Sequence, residues 1–269
     1  MSGPLTVVVL AAGKGTRMKS DTAKVLHEIA GRPLAAFAVE RALALQADRI
    51  VVVVGHQADA VEGKLRSIFA ESPLTFALQA DQLGTGHAVM CAEKAQPDAF
   101  RSGRVVVLSG DVPLMSGATL SALVQAQGDA LVSLVTTTPA SPKGYGRIVR
   151  DASGRLARIV EEKDATDGER AIGEVNAGIY CFDAAFLGRS LFRLEPKNAQ
   201  GEYYLPDVVR FAAEEGAGKV ATTHAPFVET AGINDRAELA AAEDVLLDQL
   251  RLAHLKAGVT IRSPATVRI

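Results

Sequence analysis

The segment TVVVLAAGKGTRM, residues 6–18, joins an apolar run to a glycine-rich turn that carries two cations. The apolar residues predict a buried strand, and Gly13 and Gly15 allow the backbone to approach a ligand closely. Backbone N–H groups at such a turn, together with Lys14 and Arg17, suit phosphate oxygens. The segment therefore predicts a phosphate-binding crevice at the carboxyl end of a parallel strand.

Two common phosphate-binding motifs do not fit this turn. A Walker loop needs Lys-Ser or Lys-Thr after its second glycine, whereas Thr16 and Arg17 follow Gly15. The dinucleotide fingerprint needs a third glycine where Met18 stands. On this segment alone, an ordinary strand-to-helix turn with solvated cations remains the alternative.

Composition restricts the class of protein. A chain of 269 residues with 48% hydrophobic content predicts one large α/β unit, or one unit with a small appendage. Its net charge of -2 gives no overall attraction to nucleic acid or anionic lipid, so an anionic ligand needs a local cluster of cations. Cys91 and Cys181 lack a paired spacing, which favours a reducing cytoplasm over a disulfide scaffold or zinc site. No stretch is typical of a signal peptide or membrane span, so we expect a cytoplasmic protein.

Apolar runs of strand length alternate with amphipathic stretches of helix length. Because the runs lack polar alternation, they predict strands covered on both faces, in a Rossmann-like, doubly wound, mostly parallel sheet. The predicted strands are Thr6–Leu10, Ile50–Val54, Leu74–Leu78, Val105–Leu108 and Leu131–Val135, and the predicted helices include Leu34–Leu45 and Ala118–Ala126.

The pattern changes beyond Pro142. Gly146–Arg150 and Leu156–Glu161, separated by a turn rich in Asp, Ser and Gly, predict an antiparallel hairpin. Asp235–Leu255 predicts one long helix, broken at Gly258, which we expect to lead away from the main body. The final stretch, Ile261–Ile269, is β-like.

Further segments typical of one enzyme family follow the glycine turn. They are Ser20–Leu26, Ala30–Leu34, Gln79–Ala88, Gly110–Leu114, Gly144–Ile148, Ile159–Ala165, Glu174–Gly178, Asn198–Tyr204 and Gly232–Asn234. Together they resemble the sugar-phosphate nucleotidyltransferases. Within that family they are most similar to the N-acetylglucosamine-1-phosphate uridyltransferases, the amino-terminal domain of a bifunctional bacterial enzyme. The resemblance spans nearly the whole chain.

The resemblance implies a fold, a reaction and a cofactor. The fold is that of nucleotide-diphospho-sugar transferases, with an antiparallel subdomain that binds the sugar. The reaction is Mg²⁺-dependent transfer of UMP from UTP to N-acetylglucosamine-1-phosphate, which gives UDP-N-acetylglucosamine and pyrophosphate for peptidoglycan and lipopolysaccharide precursors. We expect no nucleic-acid or membrane partner.

The resemblance also predicts the domain organisation. Residues 1–232 would form the catalytic domain and residues 233–269 a helical arm and tail. In the family this helix leads to a left-handed β-helix of hexapeptide repeats, which carries acetyl transfer and forms the trimer. Such repeats do not occur here, so acetyl transfer is not assigned to these residues and a trimer is expected only if that domain follows. The chain is either a single-domain relative or, as the ending at Ile269 favours, the amino-terminal piece of a longer protein.

Two residues are predicted to hold the metal. Asp111 follows a predicted strand through Ser109 and Gly110, so its carboxylate is expected at the sheet edge near the glycine turn, where it would suit Mg²⁺. The alternative is an aspartate that caps a turn before Pro113. Asn234 matches the second metal ligand of the family, but from the residues alone it is an equally natural helix N-cap. Ser109 differs from the aromatic or amide residue of many relatives, and we expect no effect on the chemistry.

Arg17 and Lys24 are predicted to hold the triphosphate, and with Asp111 they form the predicted catalytic set. The planar guanidinium of Arg17 suits the β and γ phosphates, and Lys24 provides a point charge near the reacting phosphate. The alternative is that each is a solvated surface cation. Ala23 stands where the family usually has proline before the lysine, which makes the loop less rigid.

The base and the acceptor are assigned mainly by resemblance. The backbone of Leu10, Ala11, Ala12 and Gly13 would bind the nucleotide together with the Gln79 amide and Gly84, while Gln82 and Thr85 support this loop. An amide pairs with the N3–H and a carbonyl of uracil, and it leaves groups unpaired with cytosine. For the acceptor sugar the predicted residues are Gly146, Glu161 and Asn176, with Tyr145 and Lys163 as secondary candidates. Hairpin charge for Glu161 and a strand-edge amide for Asn176 are the structural alternatives.

The reaction needs no general base, because the attacking phosphate is already anionic near neutral pH. Two alternatives remain open. A thymidylyl- or uridylyltransferase acting on glucose-1-phosphate, or on another sugar phosphate, would differ in its acceptor residues. An inactive regulatory subunit that binds a nucleotide sugar would have little use for Arg17, Lys24, Asp111 and Asn234 together.

Overall fold

The computed structural model describes residues 3–269 as an α/β unit built around one large sheet. The strands are β1 Leu5–Ala11, β2 Glu28–Ile29, β3 Arg32–Pro33, β4 Arg49–Val54, β5 Leu74–Leu78, β6 Arg104–Ser109, β7 Val132–Thr137, β8 Arg147–Arg150, β9 Leu156–Val160, β10 Val175–Asp183 and β11 Val220–His224. The helices are α1 Leu34–Ala44, α2 Ala58–Ile68, α3 Thr85–Ala95, α4 Gly117–Gln127, α5 Asp167–Arg170, α6 Ala184–Leu191, α7 Pro206–Glu214, α8 Phe227–Thr230 and α9 Arg236–Lys256.

The order of strands in the main sheet is β11-β7-β10-β6-β1-β4-β5. β1 pairs in parallel with both β4 and β6, β4 with β5, and β7 with β11. β10 is antiparallel to β6 and β7, and β8 and β9 form an antiparallel hairpin beside it. The predicted fold class, a mostly parallel doubly wound sheet with an antiparallel subdomain, is confirmed.

The central strands separate two apolar clusters, because successive side chains of a strand point to opposite faces of the sheet. Val8, Val51 and Val107 face a cluster covered by α3, α6 and α7. Val7 and Val9 face the other cluster, which α1, α2 and α4 cover. These valines have no exposed surface, and full burial of one such side chain stabilises the fold by roughly 1.5–3 kcal/mol. Burial on both faces explains why the strands read as unbroken apolar runs.

β10 contains an irregularity where it passes the hairpin. Asn176 pairs with Thr136 and Tyr180 pairs with Leu134, so β10 takes four steps where β7 takes two. Gly178 lies between them with a φ of 73°, a conformation that glycine adopts without the penalty of a side chain. The bulge leaves Asn176 at the base of the hairpin, where its N–H donates to the Gly146 carbonyl over 2.8 Å.

The carboxyl-terminal arm packs against the body of the protein, which corrects the expected direction of α9. We expected α9 to lead away from the body, but its Leu239, Ala242 and Leu246 pack against a cluster that includes Phe37 and Ile233. The end of the chain also folds back, because the Arg251 Nε donates to the Val267 carbonyl over 2.7 Å.

The β-like stretch 261–269 is not a strand. It holds a short 3-10 turn, Pro264–Thr266. Pro264 lacks the N–H that a ladder would need, and none of the described strands pairs with this stretch. Within residues 3–269, no helix has both the length and the apolar character needed to cross a bilayer.

Candidate active site

A cleft of about 290 Å³ opens at the carboxyl ends of β1, β5 and β6. Parallel strands bring the loops that follow them to one edge of the sheet, which is where α/β folds bind ligands. The lining residues are Leu10, Ala12, Gly13, Lys24, Val25, Gln79, Gln82, Gly84, Thr85, Ala88, Ser109, Asp111 and Glu202. Most of the predicted nucleotide residues therefore line one cleft. Ala11 does not, since its side chain packs in the apolar cluster on the opposite face of β1.

The glycine turn is compact at one end and open at the other. Gly15 adopts a φ of 62°, and a side chain there would overlap Lys24. Nothing lies within 4 Å of the position that a Cβ would take at Gly13, so this end is accessible to a ligand. Arg17 follows in a 3-10 turn, where it is exposed, and it is not among the residues that line the cleft. The two glycines thus serve different needs, close packing at Gly15 and access at Gly13.

Two side-chain oxygens, from Asp111 and Asn234, lie close to the Lys24 ammonium beside the glycine turn. The Lys24 ammonium forms an ion pair with Asp111 Oδ2, and its Nζ lies 3.4 Å from Asn234 Oδ1. The side chains of Lys24 and Asp111 are only 13% and 17% exposed, so bulk water screens this pair weakly. Ser109 Oγ donates to the other Asp111 oxygen over 2.7 Å. Ser109 thus contacts the predicted metal carboxylate directly, a contact that the sequence did not predict.

The structure separates the two interpretations of Asn234. The N-cap of α9 is Asp235, whose carboxylate accepts from the N–H groups of Ala237 and Glu238 at 2.9 Å each. The Asn234 side chain instead faces Lys24 and donates to the Gly232 carbonyl over 3.1 Å. The Ile233 N–H donates to the Asp111 carbonyl over 2.9 Å, so a backbone hydrogen bond joins the segment of Asn234 to the segment of Asp111.

These donors fit a small hard cation. Mg²⁺ takes oxygen ligands and is commonly held by one or two protein side chains, with substrate phosphates and water completing its shell. Asp111 and Asn234 present one carboxylate and one amide oxygen close enough for a single ammonium group to contact both. Among residues 3–269 no cluster of three or more His, Cys, Asp or Glu side chains could hold a metal by itself. The residues therefore suit a cation that arrives with a phosphate ligand.

Gln79 and Gln82 connect the loops around the other half of the cleft. Gln79 is buried, and its Nε2 donates to the Gly84 carbonyl over 3.0 Å and lies 3.2 Å from His87 Nδ1. The side-chain hydrogen bonds of Gln79 among the described residues use its NH₂ group, which leaves its Oε1 to accept an N–H from a base. Gln82 Nε2 donates to the Ala12 carbonyl over 2.8 Å. Gln82 thus links the loop after β5 to the glycine turn.

Gly84 and Thr85 connect this loop to a distant segment. Gly84 adopts a φ of 100°, and a Cβ there would lie 2.7 Å from the Tyr203 carbonyl. Thr85 Oγ1 accepts from the Leu205 N–H over 3.2 Å. The segment that approaches them also brings Glu202 into the cleft. Sequence reasoning missed Glu202, although it stands in the quoted segment Asn198–Tyr204.

The predicted acceptor residues gather at the hairpin. A Cβ on Gly146 would lie 3.0 Å from Glu161 Oε1, so the two residues are in direct contact across β8 and β9. Burial, together with the nearby carboxylates of Asp164 and Asp207, raises the pKa of Glu161 to about 7. Asn176 is buried, and its amide donates to Tyr180 Oη over 2.6 Å and accepts from the Gly178 N–H over 3.0 Å. Both sides of this amide therefore stabilise the β10 bulge.

Tyr145 and Lys163 differ in position. The Tyr145 ring contacts Phe227 edge to face, with centroids 5.9 Å apart. Burial raises the pKa of Tyr145, the carboxylates of Glu238 and Asp111 add to the shift, and Arg17 opposes it. Lys163 is exposed and donates to Gln200 Oε1 over 2.6 Å. Lys163 thus forms a hydrogen bond at the surface, while the Tyr145 ring packs against Phe227.

A family model supports this arrangement. The model described as the MobA-like NTP transferase domain matches residues 7–177, which include the glycine turn, Asp111 and the hairpin. The chain belongs to this family. The match covers β1 through the start of β10, so both groups of site residues except Asn234 and Glu202 fall within the MobA-like domain.

Individual relatives of this MobA-like chain extend the comparison. The "Bifunctional protein GlmU" of Anaeromyxobacter dehalogenans (strain 2CP-C) is 56% identical over 264 residues, which are 97% of this chain and 53% of that protein. The protein of the same name in Geobacter metallireducens is 49% identical over 270 residues, or 99% of this chain and 56% of that protein. The chain thus spans about half the length of the curated relatives it matches.

A solved structure shares the fold. The crystal structure of a chain from Bacillus anthracis, described as a glucose-1-phosphate thymidylyltransferase in complex with sucrose, superposes with a TM-score of 0.69. It is 17% identical and covers 97% of this chain and 98% of its own. At this identity the comparison supports the MobA-like α/β fold and carries no conclusion on substrate.

Proposed function

We propose that this chain transfers UMP from UTP to N-acetylglucosamine-1-phosphate and releases pyrophosphate. The observation that carries the proposal is the convergence of Asp111 and Asn234 on the Lys24 ammonium beside the glycine turn. A site that joins two anions needs positive charge between them. This arrangement supplies the Lys24 ammonium and two oxygen ligands, from Asp111 and Asn234, for a metal cation. The relatives at 47–56% identity, all named GlmU, support the same reaction.

The proposed cofactor is Mg²⁺, held by Asp111 and Asn234. When bound, it would neutralise charge on the transferring phosphate. Ser109 keeps the Asp111 carboxylate turned toward this position through the 2.7 Å hydrogen bond. Lys24 then pairs with a phosphate oxygen instead of Asp111, so its positive charge stays at the reacting centre.

The remaining residues of the chain bind and orient the two substrates. Arg17, exposed in the 3-10 turn that follows the glycine turn, holds the outer phosphates through its planar guanidinium. Gln79 Oε1 accepts the N3–H of uracil, a donor that cytosine lacks. Gly146, Glu161 and Asn176 form the acceptor side, with Tyr145 between the two halves. The attacking phosphate needs no base because it is already anionic near neutral pH.

The proposed organisation follows from the same residues. Residues 1–232 form the catalytic part, and residues 233–269 form an arm that contributes Asn234 to it. Since the relatives are about twice as long, acetyl transfer and any trimer are proposed to belong to sequence outside this chain. Deletion of the arm would remove the packing of Leu239 and Leu246, so tests use the whole chain.

One assay tests the proposal. Pyrophosphate release is measured with Mg²⁺ for UTP, dTTP, CTP and GTP, each against N-acetylglucosamine-1-phosphate, glucosamine-1-phosphate and glucose-1-phosphate. We expect turnover confined to UTP with the N-acetyl sugar. Preference for glucose-1-phosphate would move the function to another sugar-phosphate nucleotidyltransferase, and binding of UDP-N-acetylglucosamine without any turnover would indicate a regulatory protein.

The stability of the protein should depend on pH through Glu161. Its folded pKa of about 7 exceeds the ordinary 4.5, so the folded state binds this proton more tightly than the unfolded state. The free energy of unfolding therefore falls as the pH rises between these values and is flat above them. Glu161→Gln does not titrate at this position, so it lacks this pH-dependent loss. The free energy of unfolding of the variant minus that of the parent should therefore increase from pH 5 to pH 8 by on the order of 1–3 kcal/mol.

Urea denaturation at both pH values measures this difference. Glu195→Gln, which removes an exposed carboxylate paired with Lys197, serves as the control and should show no such change. An equal difference between Glu161→Gln and the parent at pH 5 and pH 8 would contradict the prediction.

A further inference from the structure

Arg147 is among the largest side chains that the described part of the chain buries completely, with 2% of its surface exposed. It lies at the start of β8, directly after Tyr145 and Gly146. A buried guanidinium is costly unless its donors are paired. The position therefore raises the question of what the charge does, because the proposed reaction assigns it no role.

Three elements satisfy the guanidinium. Its Nη1 donates to the Tyr145 carbonyl, and its Nε donates to the Arg170 carbonyl at the end of α5 over 3.3 Å. Its Nη2 donates to Glu162 Oε2 over 2.7 Å, and the same carboxylate oxygen accepts from the Gly144 N–H over 3.1 Å. Arg147 and Glu162 thus clamp the 144–146 loop from both sides.

The 144–146 loop that Arg147 and Glu162 hold belongs to the proposed acceptor side. Glu162 follows Glu161 directly, and Glu161 contacts Gly146. The carbonyl of Gly146 accepts from Asn176 over 2.8 Å. A displacement of the loop by the width of one hydrogen bond would therefore move Gly146, Glu161 and Tyr145 relative to one another.

We propose that Arg147 is a positioning residue for the acceptor subsite, where its buried guanidinium and Glu162 hold the Tyr145–Gly146 backbone against Glu161. The inference deepens the proposed function and rests on it for the identity of the acceptor, a sugar phosphate. Arg147 does not touch the acceptor itself; it determines the affinity of the subsite for the sugar.

The charge of Arg147 also acts on Glu161. The charged groups near enough to shift the pKa of Glu161 are the carboxylates of Asp164, Asp207 and Glu202 and the guanidinium of Arg147, and Glu161 in turn raises the pKa of the Tyr180 and Tyr204 phenols. Arg147 is the cation of this set, and it lowers the pKa of Glu161 against the other contributions. Removal of its charge should therefore shift the titration of Glu161 to higher pH.

The test compares Arg147→Met and Glu162→Ala with the parent. Glu162→Ala leaves the buried arginine in place, so it tests the clamp even if Arg147→Met folds poorly. Both should raise the KM for N-acetylglucosamine-1-phosphate by about 10-fold, the scale of one hydrogen bond to a charged group, with the KM for UTP nearly unchanged. Arg147→Lys, which keeps the charge, should recover part of the loss.

Arg150→Met is the matched control. Arg150 lies on the same strand and binds Glu174 through two hydrogen bonds of 2.8 and 2.9 Å, but it is 36% exposed. It should leave both KM values unchanged. The positioning role would be overturned if Arg147→Met and Glu162→Ala raised the KM for UTP as much as the KM for N-acetylglucosamine-1-phosphate. A rise of the KM for N-acetylglucosamine-1-phosphate in Arg150→Met would overturn it as well.

A second measurement does not depend on turnover. Carboxyl NMR follows the titration of Glu161 in the full, unliganded chain, and Arg147→Met should shift its midpoint upward while Arg150→Met does not. If the parent turns over no sugar phosphate, the proposed function fails, yet this titration still tests the contact. An unchanged midpoint in Arg147→Met would overturn the inference by itself.

Discussion

Asp111→Ala is expected to lower kcat by about 100-fold or more, the scale seen when a preorganised electrostatic partner of a reacting group is lost. The carboxylate is the charged ligand of the proposed Mg²⁺, and Asn234 alone offers one neutral oxygen. The effect on folding should be modest, because the ion pair that is lost is not fully buried and the backbone hydrogen bond from Ile233 to Asp111 remains. Pyrophosphate release at saturating UTP measures the rate, and thermal unfolding measures the stability.

Asp98→Ala provides the control for Asp111. Its carboxylate pairs with Arg101 at 2.8 Å, but both side chains are more than 70% exposed and neither residue lines the cleft. This variant should retain the parent rate. Near-normal Mg²⁺-dependent turnover in Asp111→Ala would remove Asp111 from the proposed mechanism.

Lys24→Met is expected to reduce kcat/KM for UTP by about 100-fold, since its mostly buried ammonium is the cation proposed to pair with the transferring phosphate. The same substitution should have the opposite effect on metal binding. In the free protein the ammonium contacts both Asp111 and Asn234, so a divalent cation must displace it. Without nucleotide, Lys24→Met should therefore bind Mn²⁺ more tightly than the parent does, as measured by electron paramagnetic resonance.

Lys64→Met is the matched control, because Lys64 pairs with Glu28 at 3.1 Å on the surface. It should change neither quantity. A weaker affinity for Mn²⁺ in Lys24→Met would contradict the arrangement of Asp111 and Asn234 as a shared cation site, and unchanged kcat/KM would contradict the role of Lys24.

The sequence predicted the sheet well because burial on both faces leaves a direct signal. The valine runs that became β1 and β4 were located to within one residue at either end. The arm was harder to predict. The pattern of α9 indicates a helix, but it does not reveal that Ile29, Leu34 and Phe37 offer an apolar surface for its first half.

In the candidate site, too, local sequence patterns predicted some features, and contacts between segments distant in sequence were missed. Asn234 and Asp235 are adjacent and both suit an N-cap, so only the geometry assigns the cap to Asp235. Ser109 and Glu202 were missed as site residues, because their positions depend on contacts that no local pattern encodes. The interaction of Arg147 with Glu162, 15 residues further along, was missed for the same reason.

The hairpin between β7 and β10 has a consequence for how such a protein can change. The proposed nucleotide residues come from three loops that are distant in sequence, and altering them together would require coordinated mutations. Tyr145, Gly146 and Glu161 instead lie in one continuous insertion, whose register with β10 is set at Val175 and Arg147. A single recombination event that replaced this insertion would exchange Tyr145, Gly146 and Glu161 of the proposed acceptor side and leave the proposed triphosphate residues intact. The fold therefore allows acceptor preference to diversify among descendants that all keep the same nucleotide donor.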